Sequence, residues 1–174
     1  LILPVGEWVL QEACQKLNEW KDITPEPIRM SVNISAEQII QERRFLDSVK
    51  KILKEGNINP ECLEFEITET VALRDVDFTS ELLNEFHEMS IQTSVDDFGT
   101  GHSTLTYLQE LPYDRLKIDR SFIDGLAEER QHRVMVEAMI SLAKELELEV
   151  IAEGVENQEQ INILRELDCD IIQG

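Results

Sequence analysis

The chain has 174 residues, enough for a single domain, and 42% of them are apolar, enough to bury a real core. Its 16 Lys and Arg against 36 Asp and Glu leave a formal charge of −20 at pH 7, which argues against a general electrostatic grip on DNA, RNA or an anionic membrane. A phosphate-bearing ligand would need cations to approach such a protein.

In chain order, Val5, Val9, Ala13, Leu17 and Trp20 recur at three to four residues and predict a helix over 5–20 with those side chains on one face. The break TPEP leads into IRMSVNIS, whose β-branched, alternating character predicts a strand over roughly 28–34. A helical pattern runs on to about 54, GNINP interrupts it, and CLEFEIT is the next strand. A helix carrying Phe78, Leu82, Phe86 and Met89 precedes the strand IQTSV, and a short helical stretch falls near 104. RLKID, 115–119, is a strand, followed by a long helix with a core stripe of Met135, Ala138, Met139, Leu142 and Leu146. LEVIAEG is a strand, Asn157 caps a helix containing Ile161, Leu164 and Leu167, and DIIQG closes the series. Six strands alternating with helices, without hairpin turns, predict an α/β fold: a parallel sheet covered by helices, either an open doubly wound sheet or a barrel. One domain over 1–174 is expected.

The polar residues of the strands favour the barrel. In CLEFEIT, Leu63, Phe65 and Ile67 share one face and Glu64 and Glu66 the other; Leu116 and Ile118 oppose Lys117 and Asp119, and Val32 and Ile34 oppose Asn33. Parallel sheets seldom have a wet face, so the polar side must turn into a barrel interior or its mouth. Asn33, Glu66, Asp96, Asp97, Lys117, Glu153 and Gln173 all fall at or near the C-terminal ends of six successive strands, where a β/α barrel carries its chemistry. Any one of them is ordinary as a helix cap or a turn residue; seven together are not. The repulsion among Glu66, Asp96, Asp97 and Glu153 would be relieved by protonation or by cations, and oxygen-only ligation suits Mg²⁺ or Mn²⁺ better than Zn²⁺ or copper.

Cys14, Cys62 and Cys169 form no CxxC pair, so neither a disulfide framework nor a zinc ribbon is predicted, and a reducing cytoplasm suits the domain. His87, His102 and His132 make no metal-binding pair. No apolar run approaches a membrane span and no signal peptide is visible, so no membrane contact is expected from this segment. The chain starts without Met inside a helical pattern, as a segment of a longer protein would.

Six stretches, SVNIS at 31–35, LEFEITET at 63–70, DDFGTGHSTL at 96–105, LKIDRSF at 116–122, AEGVE at 152–156 and CDIIQG at 169–174, resemble in order the motifs of EAL domains, metal-dependent phosphodiesterases of the bacterial second messenger cyclic di-GMP. The resemblance implies a modified TIM barrel that cuts one phosphodiester bond of cyclic di-GMP, giving linear pGpG, with two Mg²⁺ or Mn²⁺ ions. It implies that Asn33, Glu66 and Asp96 hold a first metal and that Asp96, Asp97 and Glu153 surround a second, with Asp96 bridging. Lys117 would hold the attacking water, making it, Glu153 and Asp97 the catalytic residues, while Gln173 and Asp119 would belong to the water or substrate shell. Glu69 would fix the loop of Gly99 and Gly101, which in the family couples the metal site to a dimer interface, so a homodimer of the intact parent is expected. The glutamate of the family's Glu-Ala-Leu would precede Leu1, and a closing strand and helix would follow Gly174; the 174 residues alone are therefore expected to be an incomplete barrel with little or no activity. His102 and Thr104 stand where the family more often has Tyr and Ser. An inactive receptor that binds cyclic di-GMP or a protein partner is the alternative, decided by whether the first-strand glutamate is present, and an interaction scaffold is the third.

Overall fold

Residues 2–23, 27–100 and 105–174 are described by the computed structural model of the chain, apart from the side chains of 42 and 105–107. They fall into two units, Leu1–Ile67 with Val71–Thr93 and Thr68–Thr70 with Ser94–Gly174. In order, the elements are α1 (Ile2–Trp20), β1 (Met30–Asn33), α2 (Ala36–Ile40), α3 (Glu42–Gly56), β2 (Leu63–Thr68), α4 (Glu69–Ala72), α5 (Val76–Glu88) and β3 (Gln92–Phe98). There follow α6 (Leu105–Glu110), β4 (Arg115–Ile118), α7 (Arg120–Ile123), α8 (Arg130–Glu145), β5 (Glu149–Ala152), α9 (Gln158–Glu166) and β6 (Ile171–Ile172).

In the first unit β1 and β2 pair in parallel, from Met30 opposite Leu63 to Asn33 opposite Glu66. Residues 63–67 of β2 are all buried, the two glutamates included, as a parallel strand covered on both faces requires. Phe65 of β2, Phe86 of α5 and Phe45 of α3 form a ring cluster with centroids 4.7 to 6.1 Å apart, tilted or edge-on, which aromatic quadrupoles favour. The expected face of α1 is corrected: the helix buries Leu10, Ala13, Cys14 and Leu17 and leaves Val5, Val9 and Trp20 exposed. Two apolar rows run along α1, and spacing alone does not say which meets α3. The helix expected to continue to 54 is broken in two at Gln41, whose backbone (φ −102°, ψ 37°) leaves the helical region. Ser35 caps α2 reciprocally with Gln38, and Asn57 closes α3 in the left-handed conformation.

In the second unit β3, β4, β5 and β6 pair in parallel in that order. All of β4 is buried, Arg115 and Lys117 included. The core stripe expected for α8 is shifted: Val136, Met139, Ile140 and Ala143 are buried while Met135 and Ala138 are exposed. The helix carries enough apolar residues that a stripe one position over has the same spacing. The cap expected at Asn157 is present, its side chain accepting from Gln160 N in a capping box, and α9 buries Ile163 and Leu164 with Ile161 and Leu167 half-buried.

Candidate functional site

Each unit gathers part of the predicted set at its strand ends. In the first, the register of β1 and β2 sets Asn33 opposite Glu66, and Ile34 N donates to Glu66 O at 2.9 Å. Asn33 is exposed and Glu66 is buried, so this amide and carboxylate share a strand-end position with different access to water.

In the second unit the β3–β4 ladder slips between Val95 and Phe98, and Asp96 and Asp97 occupy the slip. Such a bulge turns two consecutive side chains out of strict alternation. Asp97 has φ 56°, a left-handed conformation that Asp tolerates better than most residues. Its N–H donates to Asp96 Oδ1 at 3.0 Å, and its carbonyl accepts from Thr100 Oγ1 at 2.8 Å. Beside them on β4, Lys117 is 3% exposed, with Nζ 2.6 Å from Glu153 Oε1 and 3.5 Å from Asp96 Oδ1. An ammonium cannot stay charged so far from water without such partners. Glu153 follows β5 directly, its N–H donating to Ile118 O at 3.1 Å, so β4 sets the positions of both the lysine and the glutamate.

Around this trio stand the remaining candidates. Asp119 caps α7, accepting from Ser121 N at 3.0 Å and from the Ser121 hydroxyl. Glu69 Oε2 accepts from Gly99 N at 3.2 Å, whereas its Oε1 is buried without a hydrogen-bond partner among the described residues. Gly99 has φ 92°, and a Cβ there would lie 2.5 Å from Met139 Cε and 3.1 Å from the Phe122 ring, so the position needs glycine twice over. Partial desolvation and the negative charges of Asp96, Asp119 and Glu69 push the Asp97 carboxyl above the usual carboxylate range, with Lys117 pulling the other way. Gln173 is exposed, and its backbone is held beside the segment that follows β5, with Gln173 N donating to Ala152 O and Val155 N to Gln173 O. Gly101, His102 and Thr104 lie outside the described residues.

The arrangement is an acidic strand-end cluster with one buried ammonium set into it. No three His, Cys, Asp or Glu side chains among the described residues are grouped closely enough to hold a metal ion. The donors nevertheless fit a hard divalent cation in kind: they are all oxygen, and Asp97 is crowded by charges of its own sign that a cation would relieve. Among the described residues no helix is long and apolar enough to cross a membrane.

Arg120, within LKIDRSF, has no role in the site expected from the sequence. It lies in the single turn of α7, and its residue type alone carries no signal of a role there. Its Nη2 lies 2.6 Å from Glu156 Oε1 and its Nε 3.2 Å from Asp124 Oδ1.

A profile of the EAL domain family matches residues 1–174. The bifunctional diguanylate cyclase/cyclic di-GMP phosphodiesterase MucR of Pseudomonas aeruginosa is 40% identical over 174 residues, covering 100% of this chain and 25% of that protein. The chain thus spans about a quarter of the length of that curated relative. Among solved structures, the PaMucR phosphodiesterase in complex with c-di-GMP superposes with a TM-score of 0.93 at 40% identity, over 100% of this chain and 70% of that one. The EAL domain of Mycobacterium smegmatis DcpA superposes with a TM-score of 0.90 at 36% identity, over 97% of this chain and 76% of that one. The fold is the α/β class expected, an incomplete TIM-like barrel.

Proposed function

The chain belongs to the EAL domain family, and on that premise we propose that residues 1–174 are part of one domain that hydrolyses cyclic di-GMP to linear pGpG with two Mg²⁺ or Mn²⁺ ions. The observation that supports this reading best is Lys117, an almost fully buried ammonium in contact with both Glu153 and Asp96 at adjacent strand ends. Asn33, Glu66, Asp96, Asp97 and Glu153 are the residues that would hold the cations, with Asp96 common to both. When bound, two such ions make water nucleophilic at neutral pH and neutralise charge on the phosphate.

The chain's own residues supply orientation. Lys117 Nζ holds Glu153 Oε1 at 2.6 Å, and its ammonium is the group that would hold the attacking water, an electrostatic contact strengthened by burial. Gln173 and Asp119 complete the water and substrate shell. Glu69, through Gly99 N, sets the start of the loop that follows Asp97. In the whole protein this loop would reach the interface of a homodimer.

The alternative is a receptor that binds cyclic di-GMP without turnover, decided by whether the glutamate of the family's first strand is present. Incubating the whole protein with cyclic di-GMP and Mg²⁺, and separating the nucleotides by chromatography, distinguishes the two. Conversion to pGpG that stops on adding a chelator is expected; nucleotide retained by the protein but recovered intact would favour the receptor.

A further inference from the structure

The segment after Glu153 is fastened to α7 at two points. Gly154 has φ 69°, and a Cβ there would meet Arg120 Cγ at 2.4 Å and Arg120 Cβ and Cδ at 2.8 Å, so the aliphatic stem of Arg120 lies directly over its backbone. Beyond the stem, the guanidinium reaches Glu156 Oε1 at 2.6 Å and is itself steadied by Asp124 Oδ1 at 3.2 Å. At the other end of α7, Gln160 Nε2 donates to Ile123 O at 2.9 Å while its Oε1 accepts from Glu156 N at 2.8 Å and Asn157 N at 3.1 Å. The loop 154–157 is therefore gripped by a buried glutamine on one side and an exposed arginine on the other.

We infer that Arg120 is a positioning residue for Glu153, clamping the Gly154–Glu156 backbone so that the Glu153 carboxylate is held against Lys117. The inference rests on the reading that Glu153 serves the hydrolytic site. Both partners of the Arg120–Glu156 bridge are more than half exposed, at 56% and 62%, so the bridge adds little to global stability. What it restrains is one short loop adjoining a candidate catalytic carboxylate, where a small displacement is felt in rate far more than in folding. Gly154 fits the same account, since only glycine both accepts the backbone conformation and leaves room for the stem.

The test compares wild type, Arg120→Ala and Arg120→Lys in the whole protein by amide hydrogen exchange and by steady-state hydrolysis of cyclic di-GMP. In Arg120→Ala the amides of residues 153–157 are expected to exchange roughly tenfold faster, with those of α8 unchanged. Its kcat is expected to fall about tenfold with KM within about twofold, and Arg120→Lys, which keeps stem and charge, recovers much of both. Unchanged exchange at 153–157, or faster exchange spread equally over α8, overturns the inference. So does a rise in KM at unaltered kcat, which would make Arg120 a substrate contact. A wild type without hydrolytic activity counts against the phosphodiesterase reading, and the exchange result then decides the clamp by itself.

Discussion

Lys117 and its two carboxylates carry most of the chemistry proposed for this chain. Replacing the lysine by an apolar isostere, Lys117→Met, removes the ammonium that Asp96 and Glu153 both contact. Their side chains are 13% and 19% exposed, so the loss is expected at about 1–3 kcal/mol, somewhat below that of a fully buried pair. Urea denaturation of the whole protein in chelator should show it, and Mn²⁺ should restore part of it; a loss indifferent to Mn²⁺ would separate the lysine from any metal site. Asp96→Asn and Glu153→Gln are each expected to lower hydrolysis by at least about a hundredfold with circular dichroism unchanged, and turnover near wild type in either would remove that residue from the mechanism. These positions were legible in the sequence because polar residues at successive strand ends are anomalous in a parallel sheet. The bulge that holds Asp96 and Asp97 was not, since no glycine or proline marks a slip in the ladder. Arg120 was missed because its partners lie four and 36 residues away along the chain.

The elements hold these residues in place by packing and by a few special backbone positions. Phe65 is fully buried at the centre of the ring cluster with Phe45 and Phe86, and Phe65→Ala is expected to destabilise the protein by about 3–5 kcal/mol in chemical denaturation. A loss under about 1 kcal/mol would mean that the β2 core is not packed as described. Gly99→Ala forces a methyl group against Met139 and Phe122 at a left-handed φ, and is expected to cost about 1–3 kcal/mol. The strands were the most readable elements, because alternation has one short period and ends abruptly. Helix faces were less so: in α1 and α8 two neighbouring apolar rows satisfy the same spacing, and the row that is buried is set by the facing element, which spacing does not contain. The break between α2 and α3 was invisible for a related reason, since Gln41 leaves the helix without any residue that demands it.

For the molecule as a whole, charge and burial set the response to solution conditions. Burial pushes the thiols of Cys14 and Cys169 up to about 11, so their neutral forms are favoured in the folded state. As pH rises from 9 to 11 the unfolded chain releases these protons and the folded one keeps them; stability present below pH 9 is lost across that window. The double variant Cys14→Ala, Cys169→Ala should show a flatter stability curve between those pH values, and an identical slope would contradict the assignment. A formal charge of −20 makes divalent cations the natural counterpart for an anionic nucleotide, which composition alone suggested before any site was placed. Electron paramagnetic resonance titration of the whole protein with Mn²⁺ tests the central claim most directly. Two bound Mn²⁺ per chain are expected, falling in Asp96→Asn, whose carboxylate is common to both positions. No Mn²⁺ bound, or the same number bound by Asp96→Asn, would contradict it.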